Sequence, residues 1–308
     1  MRWTRIAIIG IGLMGACGPA HSSHVVATSP ETPQSEEHPS VAALLDGQIA
    51  AIASGDTHAA TRMFADEALF AGPDVDEVGL DEGAKRVAGK RFKRMTSEGF
   101  EVQKPPARTI GGEEFEAVRW SVDRFAVNGQ YWAVSTLFSG PPPWQIVAQS
   151  WDRPIDDQRV ISKAQRGEMS PIGNFEDSLI PANDVIIRWI DTKRRRPTDV
   201  AIEPPLRGDT FGLGSAGEYV QSDEALLVMQ EQQRKLLELG LLEIDPMEGA
   251  GRLLRMSRDR AAGVALYHVG IMFETPEGPV TLPMRAISYF LLQPHGPRLV
   301  GGHFMATP

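Results

Sequence analysis

The sequence predicts an α+β protein of two tandem units, each a curved antiparallel sheet wrapped over about three helices. Three observations carry that prediction. At 308 residues the chain is longer than one hydrophobic core usually organises, roughly 250–300 residues. In both halves helix-period apolar stripes come first and alternating, strand-like runs come after. A stretch of the first half also returns faintly in the second. Phe64-Ala65-Asp66-Glu67-Ala68-Leu69-Phe70-Ala71-Gly72, with the turn and acids after it, is echoed from Asp209 through Phe211 and Gly214 to Ala225. Placing Gly72 on Gly214 puts Asp76 on Glu218, Val78 on Val220, Asp81 on Asp223 and Glu82 on Glu224, the kind of self-similarity that marks a reused unit.

Composition narrows the class. Hydrophobic residues make up 42% and charged residues 23%, the balance of a globular protein and not of a disordered one. A net charge of −9 argues against nucleic acid, whose binding rests on basic surface that neutralises phosphates. The one basic run, Lys193 to Arg196 ahead of Pro197, reads as a solvated helix end suited to the dipole there. Cys17 is the single cysteine, so an intrachain disulfide and a cysteine-based metal site are both excluded. No cofactor and no metal is expected.

Residues 1–16 combine Arg2 and Arg5, the apolar run Ile6 to Met14 and small residues at the exit. They form an export signal too short to span a bilayer. Leu13-Met14-Gly15-Ala16-Cys17 resembles the bacterial lipoprotein signal, departing from its pattern at Met14. That resemblance implies cleavage before Cys17, lipidation of Cys17 and anchoring to the cell envelope, with Gly18 pointing to the outer membrane. Residues 17–39 then hold almost nothing to bury and read as a disordered tether, with a reach of about 25 Å. Its histidines, His21, His24 and His38, read as solvated.

The first domain is assigned to residues 40–153. Ser40 caps a helix whose stripe is Val41, Leu44, Leu45, Gln48, Ile49 and Ile52, stopped by Ser54-Gly55-Asp56. Asp56 caps a second helix reaching Phe64, Asp66 ends it, and a short strand follows. Asp74 and Asp76 sit at a turn, and Asp81-Glu82 open a third helix ending near Met95. Strands are expected over 118–127, 131–139 and 145–151, with Asn128-Gly129 as the hairpin turn between the first two. A linker takes 154–181. The second domain, 182–308, opens with the helical face Val185, Ile186, Trp189 and Ile190 and carries a long apolar helix from Asp223 to Leu242. Strands follow at 264–274, 280–292 and 299–304, the first two joined by a turn at Pro276 to Pro279. Val147-Ala148-Gln149-Ser150-Trp151 lies over Val300-Gly301-Gly302-His303-Phe304. Gly212-Leu213-Gly214 lacks the third glycine and the βαβ setting of a nucleotide fingerprint and reads as a turn.

The helix pair, the run from Phe64 to Ala68 into a strand, the Gly-Pro-Asp turn, the acidic third helix and the closing Trp144-Gln145-Ile146-Val147 resemble the SnoaL-like branch of the nuclear transport factor 2-like superfamily. The second half resembles it more loosely, with a charged, Pro-rich segment from Lys193 to Pro205 in place of a second helix. The resemblance implies a cone-shaped unit with an apolar cavity, and in its active members an Asp or His base in that cavity. Cavity residues expected on that basis are Trp120, Trp132 and Phe138 in the first unit and Met272, Met284 and Tyr289 in the second.

Candidates for chemistry are few. Alternation places Arg119, Ser121, Asp123 and Phe125 on one strand face and Val118, Trp120, Val122 and Arg124 on the other. With the apolar face inward, Asp123 and Arg119 are expected toward solvent. His268 and His303, on separate strands of the second unit, are the acid–base candidates, against which stands the structural role of a histidine donating to a backbone carbonyl. Tyr267 and Tyr289 read as core residues with a hydroxyl at the rim. Neither unit shows a nucleophile motif, so the expected function is a lipid-anchored small-ligand-binding or protein-interaction module. A pocket enzyme of isomerase, cyclase or hydrolase type is one alternative, and a scaffold pairing through its sheets, within the chain or as a homodimer, is the other.

Overall fold

A computed structural model describes residues 40–72, 75–78, 100–102, 108–112, 118–127, 129–154, 162, 166, 210–215, 217, 219–221, 242–245, 253–256, 262–275, 278–293 and 296–306. The export signal, Cys17, the tether, the third helix of the first unit and the helical faces expected at 185–190 and 223–241 fall outside those residues, as does most of the linker.

Ser40 caps helix α1 (Val41–Ser54), accepting from the backbone N–H of Ala43 at 3.2 Å. Its expected stripe is buried except for Ile49, which is partly buried, and Gly55 closes it. Asp56 caps α2 (Thr57–Thr61) by accepting from Ala59 at 2.9 Å. This helix is shorter than expected. Phe64 opens strand β1 (Phe64–Gly72) instead of continuing α2, and Asp66 lies within the strand. The backbone there is already committed to the sheet, since Met63 accepts from the N–H of Ile146 at 3.0 Å and Phe64 pairs with Ile146. Asp76 likewise belongs to a strand, β2 (Val75–Val78), where it faces Ala71.

Two short strands that the sequence did not announce follow, β3 (Phe100–Val102) and β4 (Arg108–Gly111). The expected meander then comes as β5 (Val118–Val127), β6 (Gln130–Ser139) and β7 (Gln145–Asp152). Val127 pairs with Gln130, and Gly129 between them has φ 73°, a value that costs glycine nothing. The sheet runs β2-β1-β7-β6-β5-β3, with β4 also on β5. It is mixed, not purely antiparallel: β7 ends the meander beside β1 and runs parallel to it.

A second sheet is built from β8 (Phe211–Leu213), β9 (Tyr219–Val220), β10 (Leu242–Asp245), β11 (Leu253–Met256), β12 (Ala262–Thr275), β13 (Gly278–Gln293) and β14 (Gly296–Ala306). Gly212-Leu213 is thus strand and not turn, and Leu242 opens β10 instead of ending a helix. Read from β9, the order is β9-β8-β14-β13-β12-β10, with β11 also on β12 and β8 parallel to β14. Strand for strand this is the order of the first sheet.

Register agrees as well as order. Leu69, Ala148 and Leu137 form one row across β1, β7 and β6. Phe211, Gly301 and Tyr289 form the matching row across β8, β14 and β13. Val147–Trp151 therefore lies over Val300–Phe304 as the residues suggested. Only the edge strand slips: Leu69 faces Val78, whereas Gly212 and not Phe211 faces Val220.

Both faces of the first sheet are covered. One face packs Phe64, Phe70, Phe125, Trp132, Val134, Phe138, Ile146 and Trp151 against the buried stripe of α1. The opposite face presents Leu69, Ala71, Trp120, Val122, Ala133, Leu137 and Ala148 to the second sheet. Phe211, Leu213, Val264, Leu266, Ile287, Tyr289 and Met305 meet them there in one apolar layer. This sheet-on-sheet seam is the larger of the two cores and joins the halves.

Candidate functional site

Among the described residues a cluster of polar side chains interrupts the seam. Ser135 lies on β6, with His303 on β14 and Tyr289 on β13 across from it, and all three are buried. The Ser135 hydroxyl is 3.1 Å from Nδ1 of His303 and 2.7 Å from the Tyr289 hydroxyl. Tyr289 also donates to the Ser135 carbonyl at 3.3 Å. Nε2 of His303 makes no hydrogen bond and lies 4.0 Å from Oδ2 of Asp152. Beside them Ser150 donates to the sulfur of Met305 at 3.0 Å, and the Arg285 guanidinium is 4.0 Å from the same sulfur.

Burial sets the charge state of this cluster. Desolvation, with Arg285 as a like-charged neighbour, holds the His303 imidazole down to about 3, so it is neutral. Burial pushes the Tyr289 phenol up, partly opposed by its bond to Ser135. A hydroxyl beside a neutral imidazole is the pairing used to activate a nucleophile. Here Ser135 and His303 are each 0% exposed, so in the closed seam no substrate reaches them. What the cluster does is join two strands of one half to a strand of the other.

The contacts across the seam are reciprocal. Ser150 and His303 occupy matching places, and so do Asp152 and Met305, two residues further along. Ser150 meets Met305 while His303 faces Asp152: position p of each half touches position p+2 of the other. That exchange is the signature of a two-fold interface, here inside one chain. The rim is less regular. Tyr219 of β9 lies under the Arg124 guanidinium at 5.8 Å, and burial pushes its phenol up to about 12.

The helix-side face of the first half is packed with side chains. Phe125 stacks on Trp151 at 5.7 Å, and Trp132 meets Trp151 edge-on at 6.2 Å. Among these rings Gln48 and Gln149 exchange amide hydrogen bonds at 3.0 and 2.9 Å. Gln149 also donates to Thr136 at 3.1 Å and accepts from Nε1 of Trp151 at 2.9 Å. These polar groups are thus paired among themselves. The equivalent row of the second half is far smaller. Phe70, Gln149, Thr136 and Ser121 form a line across the first sheet, and Gly212, Gly302, Ser288 and Ala265 form it across the second.

Asp123 departs most from expectation. It is buried and faces the helix side, where Arg108 on β4 bonds it through Nε and Ser121 donates to it at 3.0 Å. Arg108 also donates to Asp46 of α1 at 2.7 Å, so the group ties helix to sheet. Burial pushes the Asp123 carboxyl up, opposed by Arg108 and Ser121. Desolvation of Arg108 is outweighed by the two carboxylates, and its pKa rises. The solvent assignment failed because alternation identifies two faces without saying that both are covered. Arg119, on the same face, is half-buried and donates to the carbonyl of Gly112 at 3.3 Å.

The other sequence candidates separate. Trp132 and Phe138 lie in the helix-side core, whereas Trp120 and Tyr289 lie in the seam, so these four do not share a cavity. Met284 is buried on β13, and the side chain of Met272 is outside the described part. The side chain of His268 is outside it too. Its backbone faces Arg285, and β13 separates its strand from that of His303, a spacing of about 10 Å between the outer strands. Ser135 and Asp152 were not anticipated. The overlay of Ser150 on His303 was the one hint that their strands meet.

No protein-family model matches the sequence, and no curated protein matches it. Solved structures that resemble it include an NTF2-like protein of unknown function from Cytophaga hutchinsonii, 15% identical, covering 41% of this chain and 98% of its own, TM-score 0.27. An NTF2-like superfamily protein from Salmonella enterica is 17% identical and covers 37% and 88%, TM-score 0.31. A protein with a cystatin-like fold from Caulobacter vibrioides is 13% identical and covers 41% and 89%, TM-score 0.32.

Proposed function

We propose that the chain is a non-catalytic, lipid-anchored scaffold of the bacterial cell envelope, made of two SnoaL-like units that pair through their sheets. The observation that carries the reading is the reciprocal seam, in which Ser150 meets Met305 as Asp152 faces His303. A duplicated unit that pairs with itself produces this pattern, and unrelated halves have no reason to. Equal strand order and matching register support the duplication.

The scaffold reading is favoured over small-ligand binding in the first unit because Phe125, Trp132, Phe138, Trp151 and the Gln48–Gln149 pair fill its helix-side face. It is favoured over catalysis because Ser135 and His303 are fully enclosed between the sheets. The proposed anchoring rests on the resemblance around Cys17 to a lipoprotein signal, with Gly18 favouring the outer membrane.

Native mass spectrometry of the chain released from membranes tests the assignment. The scaffold reading expects a monomer free of bound small molecules, because the pairing face is used internally. One retained ligand per chain would return the binding reading, and a dimer that survives dilution would mean the outward pairing face lies elsewhere. Labelled fatty acid should enter the wild-type chain and not Cys17→Ala; an unlabelled wild type would remove the anchor.

A further inference from the structure

The proposed scaffold has a titratable group at its centre. His303 is fully enclosed between the sheets, on β14, with Ser135 of β6 facing its Nδ1 side and Asp152 of β7 facing its Nε2 side. From β13 come Tyr289, through Ser135, and the positive charge of Arg285. These are the titratable and charged groups that face it among the described residues.

Hydrogen bonding alone does not forbid a proton on this ring. Tyr289 can donate to the Ser135 carbonyl, Ser135 can donate to the Tyr289 oxygen, and Nδ1–H can donate to Ser135. What opposes the proton is burial first and the charge of Arg285 second. An imidazolium would stand in an apolar layer beside a guanidinium, and Asp152, 4.0 Å from Nε2, would attract it across a gap too long for a hydrogen bond. Water relieves that cost as soon as the sheets part.

We propose that the seam is an acid-sensitive joint, in which protonation of His303 weakens the face-to-face packing of the two sheets. The sign follows from linkage. A base held neutral in the closed state takes up a proton on opening, so stability is complete above the ordinary histidine value and is lost as pH falls below it. With closed and open values of about 3 and 6.5, the opening equilibrium rises about thirty-fold between pH 7.5 and pH 5. The raised carboxyl of Asp123 acts in the opposite direction over part of the same range, so the comparison must isolate His303.

The test uses the full chain and His303→Asn, whose amide can keep the bond to Ser135 without titrating. Urea midpoints and binding of a dye that fluoresces on apolar surface are followed from pH 7.5 to 5. The wild type should lose stability and gain dye binding relative to the variant, by the fold-change above; parallel curves would overturn the proposal. If the variant fails to fold, the His303 ring resonances of the wild type decide. A ring that titrates near 6.5 in the closed protein overturns it, and one that stays neutral until the dye binds supports it.

Discussion

Among the described glycines Gly301 leaves the least room for a Cβ, and substituting it tests the equivalence of the halves. A Cβ built there would lie 2.0, 2.2 and 2.6 Å from three ring atoms of Phe211. Phe211 cannot retreat freely, because Trp120 lies 4.5 Å from its centroid on one side and Tyr289 lies 5.8 Å away. Gly301→Ala should therefore destabilise by about 1–3 kcal/mol, the usual cost of overpacking a filled core. The first half shows the remedy: its matching pair is Ala148 beside Leu69. Phe211→Leu alone should cost roughly 1–2 kcal/mol in lost packing. The double variant, which recreates the first half's pair, should be more stable than the sum of the two costs by at least about 1 kcal/mol. Urea unfolding of the full chain and the three variants, with slopes checked for constancy, gives the cycle. Additivity within about 0.5 kcal/mol would refute the claim that Phe211 over Gly301 plays the part of Leu69 over Ala148.

Gln149→Leu leaves Gln48, Thr136 and Trp151 short of a partner and should cost about 2–3 kcal/mol by thermal unfolding. Gln48→Leu, which leaves Gln149 two partners, should cost about half as much; the reverse order would count against the network as drawn. Arg108→Ala leaves the Asp123 carboxylate buried with Ser121 alone and should destabilise by roughly 3 kcal/mol at pH 8. Part of that loss should return as pH is lowered toward 5, because a carboxyl whose native value is raised takes up a proton that the unfolded chain does not. A pH-independent loss would mean that Asp123 is better solvated than its 1% exposure implies. Ser40→Ala, removing the cap of α1, should cost about 1 kcal/mol, read from the urea midpoint.

Long strands were legible and short ones were not. Val118–Val127 and its Asn128-Gly129 turn follow from alternation and turn chemistry. The pieces Phe100–Val102, Arg108–Gly111, Leu242–Asp245 and Leu253–Met256 are three or four residues long, too short for a period to show. Phe64 and Gly212 were misread because apolar residue type and paired glycines are compatible with several backbones, and the parallel pairing that decides between them is remote in sequence. The seam cluster was the least visible. Ser135 and His303 are 168 residues apart, and no local pattern marks a serine that will face a histidine across two sheets. Asp123 was visible as a residue but not as a buried one, since its burial depends on Arg108, Asp46 and the helix above it.

The two faces of the first sheet meet different partners, the helix α1 on one side and the second sheet on the other. In the seam the matched residues Leu69 and Phe211, Val122 and Leu266, and Leu137 and Tyr289 are large and apolar on both sides, whereas Ser150 and His303, and Asp152 and Met305, differ. The helix-side face of the first sheet packs against α1 of the same half. There Phe70, Gln149 and Trp151 stand where the second half has Gly212, Gly302 and Phe304. The first half fills its face with strand side chains and a paired amide, while the matching face of the second half carries Ser288 and Ala286 beside the buried rings of Phe290 and Phe304.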